Sequence, residues 1–464
     1  RPLRAAERVA MRLPGFRHAR PEEVQMDGEA LRKHTAANRR YIQMGYMPGI
    51  AECVLRDNRL VYADMQGYQD VELQLPMTER SLHRCFSLTK PITAFGLMVL
   101  RDKGKLRLDD PVGKYIPAFK NVTVLKDKSA TGPGPRGGGV EPPKRPMTLR
   151  HLVTHTSGLG YGPGRTDKED KLDPGNSMTE AMYLELVQDI DDCKVSGLEE
   201  FCDRLAKLPL RFHPGDQYRY SMGMDVIGRV LEVVSNMPLD EFLQRMVFTP
   251  LGMRDTTFAV TPRRARRQLT ALYHTTPCNK HRTTQLPSKF TARRRDGQQP
   301  EASAWVRGQA MTVLSGGGIM GSYAGGLVSS LRDQALFCAA VANLGFAHAT
   351  GLQVLKPHTL RLMCKNWLRL KSVTRKVCLK GWYDEPGCES MGWCPLGFCD
   401  QDTLFMGGIG CWSINLTTKT ICVSMSNAWS EHNDVHGWVD EVDELEGAVK
   451  TATDAFSSCE TATI

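Results

Sequence analysis

The sequence predicts an α+β protein, in which an antiparallel sheet built from N- and C-terminal strands is flanked by helices and carries an inserted, mostly helical domain. Three observations lead to this prediction. Strand patterns occur towards both ends of the 464-residue chain, and helical spacing dominates residues 178–250 between them. Two basic, Gly/Pro-rich stretches, 121–146 and 262–300, are too poor in apolar residues to form a core.

These observations divide the chain into three parts, and its length suits two or three folding units. A basic N-terminal arm with a first helix occupies residues 1–40, the sheet domain takes 41–118 and 316–464, and the helical insertion takes 119–315. Both basic loops fall inside the insertion. The sheet is therefore expected to be closed by segments from the two ends of the chain.

The N-terminal half contains the first strands and a prominent helix. Within residues 49–67, two short β-forming runs flank a turn at Asp57-Asn58. The spacing of apolar residues changes to that of a helix over 88–100, and Gly104 provides a stop signal.

The pattern returns to strands beyond residue 391. Residues 404–416 and 420–426 predict two strands joined by a short turn at Thr417–Lys419. The acidic run at 440–446 predicts a helix near the end of the chain.

The composition excludes several classes of protein. With 41% hydrophobic and 24% charged residues and a mean hydropathy of −0.33, the chain is neither mostly disordered nor a multi-span membrane protein. No apolar run reaches the roughly 18 residues that a transmembrane helix needs. The net charge of +9 bears on solubility and does not indicate a fold. Because no aromatic residues interleave with the arginine runs, we expect no nucleic-acid partner. No nucleotide-binding fingerprint follows a predicted strand, so no cofactor is expected.

The fourteen cysteines predict buried free thiols in a reducing compartment, with one or two disulfides as the alternative. Seven of them lie between 364 and 422, without a C-x-x-C pair or a histidine, so no metal site is expected there. The first twenty residues hold six arginines and one acid. That composition resembles an organelle transit segment of mitochondrial or plastid type, and it fits a basic surface arm equally well. Cytoplasm and organelle both remain open as the compartment.

The most informative local pattern is Ser87-Leu88-Thr89-Lys90-Pro91 at the start of the predicted helix. Positions i and i+3 of a helix project from one face, so the Ser87 hydroxyl and the Lys90 amine can meet. Pro91 is tolerated only in the first turn, which places Ser87 at the helix N-terminus. There the helix dipole favours a developing oxyanion. In isolation, the same serine could be an ordinary helix cap.

Four longer blocks carry a resemblance to a known family. Residues 80–117, 146–159, 213–258 and the glycine-rich 316–337 resemble, in order, segments of the serine β-lactamase and penicillin-binding-protein superfamily, above all its class C-like esterase branch. The resemblance implies the serine β-lactamase-like fold. It also implies a second motif at Tyr220-Ser221-Met222 and a third at Met406-Gly407-Gly408.

The resemblance further implies a role for each site residue. Ser87 would be the nucleophile, with Lys90 and Tyr220 as general base and acid. The backbone N–H groups of Ser87 and Ile409 would form the oxyanion hole. The remaining positions would contact substrate, and they are Met222, Met406, Gly407 and Gly408. His155 would hold a hydrogen-bonded structural position at a helix end.

Two departures from the family pattern narrow the expected chemistry. Members that recognise β-lactams carry a cation at the third motif and an asparagine in the second, where this chain has Met406 and Met222. A substrate carboxylate buried there would lack a counter-charge. β-Lactamase and D-Ala-D-Ala peptidase activities are therefore disfavoured, and a small, uncharged acyl ester is the expected substrate.

Other interpretations stay open on the sequence alone. Acyl transfer to an acceptor alcohol uses the same machinery as ester hydrolysis. A catalytically inactive family member could serve as a structural or accessory subunit of a larger assembly, and a mitochondrial-type peptidase is a third reading. The sequence is compatible with an oligomer.

Overall fold

The computed structural model gives the fold over most of the chain. It describes the following residues: 13–43, 47–126, 139–160, 176–192, 194–275, 293–294, 315–318, 326–368, 392–400, 402–408, 410–430 and 449–450.

The described residues contain eighteen β-strands, most of them short. In chain order they are β1 Arg17–His18, β2 Gly49–Arg56, β3 Arg59–Asp70, β4 Leu75–Pro76, β5 His83–Arg84, β6 Val124–Leu125, β7 Val140–Glu141, β8 Tyr273–Thr275, β9 Arg293–Arg294, β10 Val328–Ser329, β11 Phe346–Ala347, β12 Leu352–Gln353, β13 Gly392–Cys394, β14 Gly397–Asp400, β15 Thr403–Gly407, β16 Gly410–Asn415, β17 Thr420–Ser426 and β18 Ala428–Ser430.

Eleven α-helices are described, and several of them are single turns. In chain order they are α1 Gly28–Gln43, α2 Thr89–Asp102, α3 Leu149–Val153, α4 Asn176–Asp191, α5 Leu198–Leu205, α6 Gly223–Ser235, α7 Leu239–Leu243, α8 Thr249–Leu251, α9 Pro262–Gln268, α10 Leu331–Ala342 and α11 Pro357–Met363. Short 3₁₀ turns cover Pro21–Val24, Phe86–Leu88, Val112–Lys114 and Pro117–Asn121, and a π turn covers Gln244–Phe248. No helix in the described ranges combines the length and the apolar character needed to cross a bilayer.

The two ends of the chain build one nine-stranded sheet. Its order is β1-β3-β2-β17-β16-β15-β14-β13, with β4 beside β3, and every pair is antiparallel except β1 with β3. N- and C-terminal strands meet where β2 pairs with β17, from Ile50 opposite Ser426 to Arg56 opposite Thr420. The predicted α+β class and the closure of the sheet by both ends are confirmed. The division into domains stays a prediction.

The sheet is covered by helices on both faces. Alternate residues of β2 point in opposite directions: Ala51, Cys53 and Leu55 join the main core, whereas Val54 packs with Leu31 of α1. Helix α10 lies on the main-core face against β2, β16 and β17. Helix α2 is buried along almost its whole length in the same core, which anchors the residues at its N-terminus.

The predicted hairpin at 49–67 is confirmed by β2 and β3. Its turn residues Asp57 and Asn58 have φ values of 47° and 62°, the left-handed pair that a tight two-residue hairpin turn requires. The predicted helix at 88–100 is confirmed as α2, and Gly104 follows its end with a φ of 70°.

The prediction of a single strand over 404–416 is wrong. The structure divides it into β15 and β16, which pair with each other from Thr403 opposite Asn415 to Gly407 opposite Cys411. The chain reverses after Gly407, where the N–H of Gly408 donates to the carbonyl of Gly410 at 2.6 Å. Glycines permit so tight a reversal. Because apolar residues surround these glycines, the sequence pattern indicated one continuous strand.

Parts of the two basic loops lie within the described residues. Strands β6 and β7 pair across the first, and its residues 127–138 lie outside the described part of the chain. The second begins with α9, whose Ala265 packs into a small cluster with Leu82 and Phe86. The predicted acidic helix at 440–446 and the first twelve residues also lie outside the described ranges.

Candidate active site

Ser87 lies in the 3₁₀ turn Phe86–Leu88 that leads directly into α2. The preceding residue, Phe86, has a φ of 44°, a left-handed conformation that costs a bulky residue about 1–3 kcal/mol. Gly318 packs against this turn so closely that a Cβ on it would lie 1.9 Å from the Phe86 carbonyl oxygen. The turn is therefore held in a strained shape by a segment from elsewhere in the chain.

The structure brings Ser87, Lys90 and Tyr220 together in a buried cluster. The Lys90 Nζ donates to the Ser87 Oγ at 3.1 Å, and the Tyr220 hydroxyl donates to the same oxygen at 2.8 Å. The Lys90 Nζ also lies 4.5 Å from the centre of the Tyr220 ring. The three side chains are 3%, 2% and 5% exposed, so water screens their interactions weakly.

The Tyr220 ring is fixed by aromatic neighbours. It stacks on the His155 ring with 4.5 Å between ring centroids, and it packs edge-to-face with Trp393, with 5.8 Å between ring centroids. The N–H of Ser221 donates to the His155 Nδ1, so a neutral His155 ring carries its proton on Nε2. The Trp393 indole donates to the Val153 carbonyl at 3.0 Å. These contacts hold the Tyr220 ring with its oxygen towards Ser87.

Lys90 has a second oxygen partner in the main chain. Its Nζ donates to the Gly317 carbonyl at 2.5 Å, and one turn later the Thr93 hydroxyl donates to the Gly316 carbonyl at 2.7 Å. Helix α2 thus binds the glycine-rich segment 315–318 along one face. The lysine head group is held between that segment and the serine.

A buried carboxylate closes the other side of the glycine-rich segment. The Asp225 Oδ1 accepts from the Gly317 N–H at 3.0 Å and from the Ser315 hydroxyl at 2.5 Å. Burial raises the pKa of the Asp225 carboxyl, and the hydrogen bond from Ser315, the charge of Lys90 and the Gly317 N–H oppose that rise. A Cβ on Gly317 would lie 2.4 Å from the Asp225 Oδ2, so this position accommodates only glycine without a shift.

The predicted third motif lies beside the nucleophile turn. Met406 and Gly407 end β15, and a Cβ on Gly408 would lie 2.4 Å from the Cys85 carbonyl oxygen and 3.3 Å from the Leu88 nitrogen. Met406 and Met222 are both buried, Met222 just before α6. Ile409, the predicted second oxyanion donor, lies outside the described residues. The roles assigned to these residues stay predictions.

Two groups at this site, Trp393 and the Gly317–Asp225 pair, were not predicted from the sequence. Asp225 did carry a signal, because it is an acid in the first turn of a helix that is otherwise buried on that face. Trp393 carried none, since a tryptophan in a short strand is ordinary core composition.

No group of three or more His, Cys, Asp or Glu side chains in the described ranges is arranged to hold a metal ion. The nine cysteines that the structure describes are free thiols, and eight of them are buried.

Comparison with known proteins places the chain in a family. The beta-lactamase family profile matches residues 35–443. The chain belongs to the beta-lactamase family. This confirms the resemblance, and with it the serine β-lactamase and penicillin-binding-protein fold.

Individual relatives agree with this assignment. The chain is 36% identical over 210 residues to Esterase EstB of Burkholderia gladioli, covering 45% of this chain and 47% of the esterase. It is 32% identical over 176 residues to a lovastatin esterase of Penicillium rubens, covering 37% and 38%. The sequence match spans about half the length, or less, of such relatives. The fold matches simvastatin synthase (LovD) from Aspergillus terreus with a TM-score of 0.67 at 20% identity, over 90% of this chain and 98% of that one.

Proposed function

We propose that this protein is a serine hydrolase of the carboxylesterase type that acts through an acyl-enzyme on Ser87. The observation that carries the proposal is the Ser87 Oγ, which receives hydrogen bonds from both Lys90 and Tyr220 in a buried site. A nucleophile within hydrogen-bond reach of both a candidate base and a candidate acid is the arrangement that acyl transfer needs.

In the proposed mechanism, the Ser87 oxygen attacks the ester carbonyl while its proton passes to the neutral Lys90 amine. The Tyr220 hydroxyl gives a proton to the leaving alkoxide and is reprotonated from Lys90, so the alcohol departs and the acyl group stays on Ser87. The N–H groups of Ser87 and Ile409 would stabilise the oxyanion. Deacylation repeats these transfers in reverse with water.

An uncharged ester is the substrate class that the side chains favour. By the family resemblance, Met222 and Met406 would take the positions of an amide and a cation in β-lactam-recognising members, and neither methionine can pair with a substrate carboxylate. The names of EstB and the lovastatin esterase are consistent with an ester substrate. An alcohol in place of water would make the protein an acyltransferase through the same acyl-enzyme, and an acyltransferase from Penicillium decumbens is among the relatives, at 28% identity.

The test is the intact mass of the protein after exposure to a fluorophosphonate and, separately, to a short-chain nitrophenyl ester. We expect one phosphonyl or acyl group on the parent and none on Ser87→Ala. Lys90→Ala should be labelled far more slowly, whereas Lys103→Ala, which changes an exposed lysine just after the same helix, should label like the parent. A folded parent that stays unmodified would overturn the proposal in favour of an inactive, accessory role.

A further inference from the structure

Asp225 is a buried acid whose contacts lead to the candidate base. It lies in the first turn of α6 and is 1% exposed. Its Oδ1 accepts a hydrogen bond from the N–H of Gly317, and the carbonyl of the same glycine accepts a hydrogen bond from the Lys90 Nζ. One residue therefore connects the carboxylate to the amine, through its N–H on one side and its C=O on the other.

An ionised carboxylate in this position needs a compensating charge. Removing an isolated carboxylate from water is unfavourable, and within the described part of the chain Asp225 forms no salt bridge. When Lys90 is protonated, it is the cation whose charge acts on Asp225. Asp225 and Lys90 are thus separated by a single residue, Gly317, and both side chains are buried.

The other elements that pack on α6 carry titratable groups of their own. Helix α5 presents Cys202, a buried thiol whose pKa is raised by burial and by Asp225. The loop before α6 brings Tyr220 to Lys90, and segment 315–318 offers only neutral groups. The titratable side chains of α3 are engaged elsewhere, Arg150 with Asp109 and His151 with the Thr148 N–H. On α7, Glu241 pairs with Arg245 and Asp240 accepts from the Glu241 N–H.

We infer that Asp225 is a positioning residue for the proposed reaction: it fixes Gly317, whose carbonyl orients the Lys90 amine, and its charge stabilises the ammonium that forms when Lys90 receives the Ser87 proton. The arrangement corresponds to the role of the aspartate in a Ser-His-Asp triad, except that one residue, Gly317, lies between acid and base. The inference rests on the proposed function, because it gives Lys90 the task of taking that proton.

The first test does not require catalysis. Asp225→Asn keeps an oxygen for the Gly317 N–H and removes the charge, and Lys90→Met removes the partner charge at similar volume. We expect D225N to lower the urea midpoint of the parent and to leave unchanged or raise that of K90M, because in K90M the buried acid has no counter-charge. An equal fall in both backgrounds would overturn the inference. If D225N alone does not fold, a folded double variant supports it, and failure of both contradicts it.

The second test is the pH dependence of kcat/KM with a nitrophenyl ester. Loss of a neighbouring opposite charge lowers the pKa of a lysine by about one unit or more, so D225N should move the acid limb to lower pH by that amount and reduce the plateau about tenfold. Ser315→Ala removes the other hydrogen bond to Asp225 but keeps the charge of Asp225. The acid limb of the S315A profile should therefore coincide with that of the parent. A D225N profile that superimposes on the parent, or an equal shift in S315A, would refute the inference. A parent without ester activity would refute the proposed function instead. The urea unfolding of D225N, K90M and the double variant would still report on the interaction between Asp225 and Lys90.

Discussion

Replacing Tyr220 with phenylalanine separates the chemical role of this residue from its packing. The variant loses only the hydroxyl that lies 2.8 Å from the Ser87 Oγ, whereas the ring keeps its contacts with His155 and Trp393. The Ser87 oxygen keeps its bond from Lys90. Folding should therefore change little, by about 1 kcal/mol for one buried hydrogen bond.

The effect on acylation should be much larger. Removal of a positioned acid–base group typically costs about 10²–10⁴-fold in rate, equivalent to about 3–5.5 kcal/mol of barrier. The assay is the rate of Ser87 acylation by a nitrophenyl ester, followed as the burst of nitrophenol, with urea unfolding in parallel. We expect Y220F to lose at least a hundredfold in the burst rate at nearly unchanged stability.

Tyr218 supplies a matched control from the same loop. Its ring lies 6.1 Å from that of His155 and 5.9 Å from that of Trp393, in the same aromatic cluster. Tyr218→Phe should therefore acylate within a few-fold of the parent. The reasoning is refuted if Y220F, correctly folded, acylates as fast as Y218F, because the phenol would then take no part in proton transfer.

Three further predictions concern the supporting structure. Gly317→Ala should slow acylation at least about tenfold, because its Cβ would lie 2.4 Å from an Asp225 oxygen and displace the carbonyl that holds the lysine; parent-like burst kinetics would contradict this. Burial lowers the pKa of the His83 imidazole to about 4. The free energy of unfolding should therefore be largest above about pH 6.5 and decline towards pH 4 by up to about 3 kcal/mol. His83→Asn should flatten this pH dependence in urea unfolding. Phe337→Ala should cost about 3–5 kcal/mol in the same measurement, because the ring is fully buried beside Trp412; a loss below about 1 kcal/mol would argue against that packing.

The local parts of this architecture could be predicted from the sequence. Ser87 and Lys90 are three residues apart, and the proline after them sets the helix start, so helix geometry alone brings their side chains together. The Asp57-Asn58 turn was predictable for the same reason, since turn chemistry depends on adjacent residues.

The long-range parts could not be derived from spacing. Tyr220 is 133 residues from Ser87 and Gly317 is 227 residues from Lys90, and no periodicity encodes such contacts. Tyr220 was predicted only through resemblance to a family. The reversal between β15 and β16 was missed because its glycines lie in an apolar run that reads as one strand.

The anchor of Lys90 on a main-chain carbonyl has a genetic consequence. No side-chain substitution at position 317 can delete that acceptor, because every amino acid carries it. The contact is encoded by the path of the backbone, which depends on small residues and on the length of the segment. A change that removes this contact is therefore expected to act on the backbone path, by replacing a glycine or altering the length of the chain around residues 315–318. A sequence comparison limited to the Ser87 and Lys90 positions would not detect such a change.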